Sequence, residues 1–322
     1  MFKIDNQINA IINKRCEQVL EKRDIEFIKN YENLEHKELV YTSFDGDYMH
    51  YLHDMQEFVL KKNLIPINPE AALGYYVSTS THGSKKIPVM LDCITTELLC
   101  DYMWIFNPKT GYIPEGILAE MMIWEREKAE DILIYNFFPN ETSPIDKYDN
   151  IDMVTLGHQS IKEYIKSNWS NEELDEIKKG LMVQYEKQKI RSAYIIANFY
   201  NYKHIDWARK YCYIHHVCPI CVHTLLSFYL YNKIFDDGHY KYLKDRLTIL
   251  NKLKEVYVFL NKKRIEDEIY RLDYYSICEL YFLINNRNDE HVYIIGWDEA
   301  EVPKYSNSLQ WALTTKETRE VM

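Results

Sequence analysis

The sequence predicts an α/β protein: two Rossmann-like (flavodoxin-like) parallel-sheet domains in tandem, with added helices. Three observations lead there. Residues 92–120 read as a helix, a strand that is apolar throughout (102–106), a loop, and the start of a second helix. An uninterrupted apolar run suits a strand buried on both faces. Upstream, the β-prone run 39–44 closes on the turn signal Asp45-Gly46-Asp47, and a helix over 48–62 leads to a short strand ending at Pro69. That is β-α-β with a tight first turn, the grammar of a parallel sheet. A weaker copy of the same units recurs in the second half.

Taken in order, residues 1–36 form an N-terminal helix with Ile4, Ile8, Ile11, Ile12 and Val19 on one face. The helix over 48–62 turns Tyr48, Leu52, Met55, Phe58 and Val59 inward. Residues 74–87 are polar and form a loop near the ligand, where Ser78, Thr79, Ser84, Lys85 and Lys86 are available to a phosphate. A helix over 88–100 precedes the central strand. Pro114 opens the next helix, since proline is tolerated in a first turn. That helix carries Glu120 and is followed by a strand over 132–135. Residues 138–190 break the pattern with a loop and a helical connector, in which Ser170-Asn171-Glu172-Glu173 is a capping box.

The second copy runs in register. Residues 193–199 match 38–44. Pro66 to Asp92 and Pro219 to Asp245 are both 26 positions, and Phe106 and Phe259 each fall 14 after their Asp. Glu268 is then the counterpart of Glu120, with a following strand at Leu280. The expected divisions are an N-terminal helix (1–36), a first domain (37–137), a connector (138–190), a second, divergent domain (191–290) and a tail (291–322) in which 292–295 is a strand.

The net charge of −10 disfavours duplex DNA, whose binding needs clustered Lys and Arg. No apolar run is long enough to span a membrane. The first residues, Met1-Phe2-Lys3-Ile4-Asp5, do not read as a signal peptide, so a cytoplasmic protein with free thiols is expected. Cys212, Cys218 and Cys221 with His215, His216 and His223 suggest zinc by their spacing. No second Cys-x-x-Cys lies nearby, however, and a strand over 217–222 sends Cys218 and Cys221 to opposite faces. No metal and no cofactor is expected.

Ligands of parallel sheets bind at the carboxyl ends of the strands. Asp92 and Glu120 are placed to meet there. An ionised carboxylate can attack an anomeric carbon while a second carboxyl manages a proton. Asp92, the run Cys100-Asp101-Tyr102-Met103-Trp104-Ile105-Phe106 and Glu115-Gly116-Ile117-Leu118-Ala119-Glu120 resemble the nucleoside 2-deoxyribosyltransferase-like family. The resemblance covers 38–136 well and 192–285 loosely. It implies that Glu120 is the nucleophile at C1′ of a nucleoside or nucleotide and that Asp92 handles the base and its proton. It implies a pocket lined by Tyr41, Ser43, Phe44 and Gly46, with Asp101 and Gly116 contributing from the motif. The loop Tyr112-Ile113-Pro114 departs from the family's small, glycine-containing loop. Asp245, Glu268, Asn198 and His223 hold the equivalent places in the second copy, which would support the first as an internal pseudo-dimer, or the chain would form a homo-oligomer. The expected activity is cleavage of an N-glycosidic bond by (deoxy)ribosyl transfer or hydrolysis. The competing readings are a non-catalytic nucleotide-binding sensor or assembly subunit, and a zinc-dependent interaction protein.

Overall fold

The computed structural model describes residues 2–3, 6–45, 50–69, 71, 86–107, 113–137, 148, 151–187, 190–198, 207–208, 211–212, 215–226, 235–261, 264–287 and 291–296. The described residues form two five-stranded sheets of identical wiring. In the first, β3 (Ile65–Ile67), β2 (Leu39–Phe44), β4 (Tyr102–Phe106) and β5 (Ile132–Asn136) run parallel in that order. The strand β6 (Asp152–Leu156) closes its edge antiparallel to β5. In the second, β8 (Val217–Ile220), β7 (Arg191–Ile196), β9 (Glu255–Leu260) and β10 (Val292–Gly296) run parallel, and the short β1 (Phe2–Lys3) closes the edge antiparallel to β10. Both are Rossmann-like, so the expected fold class holds.

The alternation of β2 places the site. Leu39 and Tyr41 join the large core beneath α4 (Lys86–Glu97) and α5 (Glu115–Glu127), while Val40 joins an aromatic cluster with Phe58, Trp104, Phe106 and Tyr135 on the other face. The helix α3 (Leu52–Lys61) covers that second face through Met55, Phe58 and Val59. The large core also takes in Cys218, Ile220, Val256 and Val258 of the second sheet, so the two sheets share one core.

Several expectations need correction. Residues 1–36 are not one helix but α1 (Asn6–Val19), α2 (Lys22–Lys29) and a 3-10 turn (Tyr31–Asn33). They dock on the second half. Cys16 Sγ meets the Ile277 carbonyl at 3.7 Å, Asp24 accepts from Tyr274, and the Tyr31 ring meets Phe282 edge-on at 4.9 Å. The segment 138–190 holds β6 and α6 (His158–Asn168), both missed, before α7 (Asn171–Ile177), a π-helical turn (Lys178–Met182) and α8 (Val183–Lys187). The capping box forms as read: Glu173 N–H donates to Ser170 Oγ at 3.3 Å and Ser170 N–H to Glu173 Oε2 at 2.8 Å. Leu280 begins no strand. It lies inside α12 (Tyr274–Asn286), and the following strand is β10, so the second sheet extends past residue 290.

The strand registers show what is repeated. Tyr41 stands opposite Met103 and Tyr194 opposite Val256, each pair member 153 positions from its counterpart. The same shift carries Pro66 to Pro219, Asp92 to Asp245 and Phe106 to Phe259, while Phe199 sits two positions too far to match Phe44. The register also reaches the edges. Val154 stands opposite Ile134 and Phe2 opposite Ile294, 152 positions apart, and α1 and α6 begin at Asn6 and His158, again 152 apart. Each repeat therefore opens with a strand and a helix. The opening strand of each repeat closes the sheet of the other.

Candidate functional site

Tyr41 and Ser43 lie two residues apart on β2 and so share a face. Glu120, the sixth residue of α5, descends onto that face near the carboxyl end of the strand. The Tyr41 hydroxyl donates to Glu120 Oε1 at 2.7 Å and the Ser43 hydroxyl to Glu120 Oε2 at 2.5 Å. The glutamate is 5 % exposed and Tyr41 fully buried. Burial, and then the Glu120 charge, push the Tyr41 phenol well above the ordinary tyrosine value, so it remains a donor. Three residues singled out in the sequence thus come together as one unit.

Others are placed elsewhere. Asp92 is buried on α4, and its charge acts on Cys212 of the second half. Its carbonyl accepts from Cys218 Sγ at 3.6 Å, and Thr96, one turn on, meets the same sulfur. The face of α4 that carries Asp92 therefore meets the second sheet. The groups of α4 whose charges reach Tyr41, after that of Glu120, are the Cys93 thiol and then the Glu97 carboxyl. Asp101 corrects the motif reading. It stands at the amino end of β4, where Oδ2 accepts from the Leu39 amide at 2.8 Å and pairs with Lys252. It pins the start of the sheet, at the opposite end from Glu120. Phe44 alternates onto the aromatic face rather than toward Glu120. Gly116 lies against α4, with Met90 Sδ 3.4 Å from where a Cβ would stand, so it serves the approach of two helices. Gly46, Ser78, Thr79, Ser84 and Lys85 lie outside the described residues; Lys86 begins α4.

The second copy holds a different constellation from the one expected. Glu268 sits in the short helix α11 (Ile265–Ile269), bound to Arg271 Nη1 at 2.8 Å. The true counterpart of Glu120 is Glu279, the sixth residue of α12, as Glu120 is the sixth of α5; both helices have 13 residues. Tyr194, the counterpart of Tyr41, donates to it. Here, however, Arg246 Nε also donates to Glu279 Oε1 at 2.5 Å, and its Nη1 donates to Tyr242 at 2.9 Å. Arg246 and Glu279 are both buried, on the helix α10 (Phe235–Lys252) and on α12. Burial pushes the Glu279 carboxyl up, and Arg246 and Tyr194 oppose this. Arg246 occupies the place of Cys93, 153 positions earlier.

Asp245 is buried and paired with Lys37 Nζ at 2.9 Å, tying α10 to the segment that leads into β2. His223, on the short helix α9 (Val222–Leu225), is held below the ordinary histidine value by burial and by the Arg246 charge, with Asp273 opposing. Asn198 lies two residues past the end of β7. Sequence reasoning passed over Arg246, Glu279 and Glu97. The signal for Glu279 was the shared Tyr at the third or fourth residue of the first strand and a Glu six residues into the fourth-strand helix.

All seven cysteines are buried and free. The strand expected over 217–222 ends at Ile220; Cys218 on β8 and Cys221 just after it belong to different cores. Among the described residues no group of three or more His, Cys, Asp or Glu side chains is arranged to hold a metal ion. Burial pushes the Cys16 thiol up to about 12 and raises Cys100, Cys212 and Cys278 as well. A disulfide-exchange reagent is therefore expected to titrate almost no thiol in the native protein and all seven after guanidinium unfolding. Rapid native labelling of two or more would contradict the burial.

The chain matches no protein-family model, and no curated protein and no solved structure matches it. Among the described residues no helix is long and apolar enough to cross a membrane.

Proposed function

We propose that the first half cleaves the N-glycosidic bond of a nucleoside or nucleotide, with Glu120 as nucleophile. The observation that carries this reading is the cradle around Glu120: a buried carboxylate near the carboxyl end of a parallel sheet, with each oxygen held by a hydroxyl. Such a group is aimed and desolvated before the substrate arrives, which lowers the reorganisation a nucleophile must undergo. The resemblance in residues 92–120 points to the same residue.

The carboxylate would attack C1′ as the C1′–N bond breaks, its electron pair leaving with the base nitrogen. A covalent sugar ester on Glu120 follows. In hydrolysis, water supplies the hydroxyl that ends on C1′ and the proton that ends on the base. In transfer, the incoming base gives up the proton that the departing base gains. Either way the Glu120 carboxylate is regenerated. Asp92, the sequence's candidate for that proton, faces the second half, and no step is assigned to it.

The test is chromatography of products after incubation with a panel of nucleosides and 5′-monophosphates, with and without an acceptor base. Free base without acceptor identifies a hydrolase, and exchange only with acceptor a transferase. A panel with no turnover overturns the reading. In that event the second reading takes over, a nucleotide-binding sensor or assembly subunit. One observation favours it: the glutamate at the same position in the second half, Glu279, is paired with the buried Arg246, so this place in the fold can serve architecture alone.

A further inference from the structure

Glu97, the last residue of α4, is fully buried. Among the described residues neither of its carboxyl oxygens has a hydrogen-bond donor. A carboxylate in that position would forfeit its hydration without compensation, a cost of several kcal/mol or more, on the order of the penalty for any unpaired buried charge. Native proteins rarely keep such a group without a use for it. Its surroundings suggest the use. Glu97 shares the inner side of α4 with Cys93, one turn earlier, and α4 packs on α5, which carries Glu120. The charges of Glu97 and Cys93 both reach Tyr41, the hydroxyl that holds Glu120.

We propose that Glu97 carries the one proton held by these two buried carboxyls and leaves Glu120 as the carboxylate. The asymmetry follows from donors. Glu120 has a phenol and a serine hydroxyl, both of which favour the ionised form of their acceptor; Glu97 has neither. Two like charges that act on each other across a buried, low-dielectric interior disfavour joint ionisation, so the carboxyl with donors ionises and the one without keeps the proton. Glu97 is thus a positioning residue for Glu120, in a role that rests on the proposed nucleophile for its purpose but not for its detection.

The other groups around Glu97 are compatible with this state. Burial is the main influence raising its carboxyl, Glu120 adds to it, and Lys128 beyond the end of α5 opposes. Lys128 Nζ is committed to the Cys100 carbonyl at 2.8 Å. Tyr41 from β2, Cys93 and Cys100 from α4 and its end, and Tyr185 from α8 are the further titratable groups in reach, all neutral while protonated. Cys218 of β8 meets the side of α4 occupied by Asp92 and Thr96.

The sign of the pH effect is fixed by these directions. Glu97 is protonated in the folded chain and ionised in the unfolded chain once the pH passes the ordinary glutamate value. Its contribution is therefore fully present below about pH 4.5 and is lost as pH rises toward its raised folded value. Glu97→Gln and Glu97→Met have no such proton. The melting temperature of either variant, relative to wild type, is expected to rise between pH 5 and pH 8. Infrared spectra at pH 7 supply the second readout. A protonated-carboxyl band is expected in wild type, absent in Glu97→Gln and retained in Glu120→Gln. Parallel melting curves for both Glu97 variants, or a protonated-carboxyl band that survives Glu97→Gln, would overturn the proposal. Neither measurement involves turnover, so a failed nucleoside panel leaves this result standing, and a failed pair leaves the panel's result standing.

Discussion

Replacing Arg246 by methionine is expected to destabilise the protein by about 3–5 kcal/mol, because it strands a buried carboxylate without its counter-charge. Arg246 and Glu279 are 1 % and 0 % exposed, so neither can recover hydration when its partner goes. Tyr194 would remain as a donor, but a neutral hydroxyl cannot replace a guanidinium. The double variant Arg246→Met/Glu279→Leu should recover most of the loss, since exchanging a whole buried pair for apolar volume is commonly neutral or stabilising. Urea unfolding of the wild type, the single variant and the double variant completes the cycle. Equal losses in the single and double variants would mean that the side-chain volumes, not the charges, matter. Surface pairs such as Lys179–Asp175 provide the control, with about 0–1 kcal/mol expected.

The contrast between the halves gives that experiment its wider meaning. The same scaffold position carries Glu120 and Glu279, and the strand Tyr beneath each donates to it. At the matching position of the helix before the central strand one half has Cys93 and the other Arg246. An arginine there satisfies the carboxylate permanently, so it becomes part of the core. A thiol contributes no counter-charge, and the carboxylate is held by hydroxyls alongside a second carboxyl, Glu97. On the proposed reading, charge balance separates the architectural Glu279 from the nucleophile Glu120, and one residue per half decides it.

The parallel sheets were legible because their strands are apolar on both faces, as in Tyr102 to Phe106, whose bounds the structure reproduces. The Tyr41–Ser43–Glu120 unit was legible because alternation on β2 and one helical position on α5 fix it. Leu280 misled for a physical reason. The run Leu280-Tyr281-Phe282-Leu283 is buried all round, since α12 has the sheet on one side and α1 and α2 on the other. An apolar run of that length fits a buried strand equally well, and only the partners distinguish them. That error moved the expected glutamate from Glu279 to Glu268. The strand β6 was illegible for the opposite reason: four of its five residues are exposed, so it has no apolar signature. The reciprocal closure of each sheet by the other repeat depends on pairing across the chain, which local pattern does not encode.

Replacing Glu120 by glutamine is expected to lower turnover by about 10³-fold or more, since it removes the attacking group while keeping nearly the same volume. The amide offers one acceptor oxygen where the carboxylate offers two. Either Tyr41 or Ser43 must therefore turn its hydroxyl to accept from the new NH2, a local change worth about 1 kcal/mol. The fold should survive, visible as an unchanged circular-dichroism spectrum and a melting temperature within a few degrees of wild type. Binding should survive too, so a nucleoside that turns over in wild type should still raise the melting temperature of Glu120→Gln. The informative comparison is with Ser43→Ala and Tyr41→Phe, which keep the carboxylate but remove one donor each. If the cradle serves the nucleophile, these variants lose activity in smaller steps and their loss is not additive, because each donor steadies the same group. Wild-type turnover by Glu120→Gln would remove Glu120 from the chemistry. The cradle would then be a structural clasp between β2 and α5, the counterpart of the one that Arg246 completes in the second half.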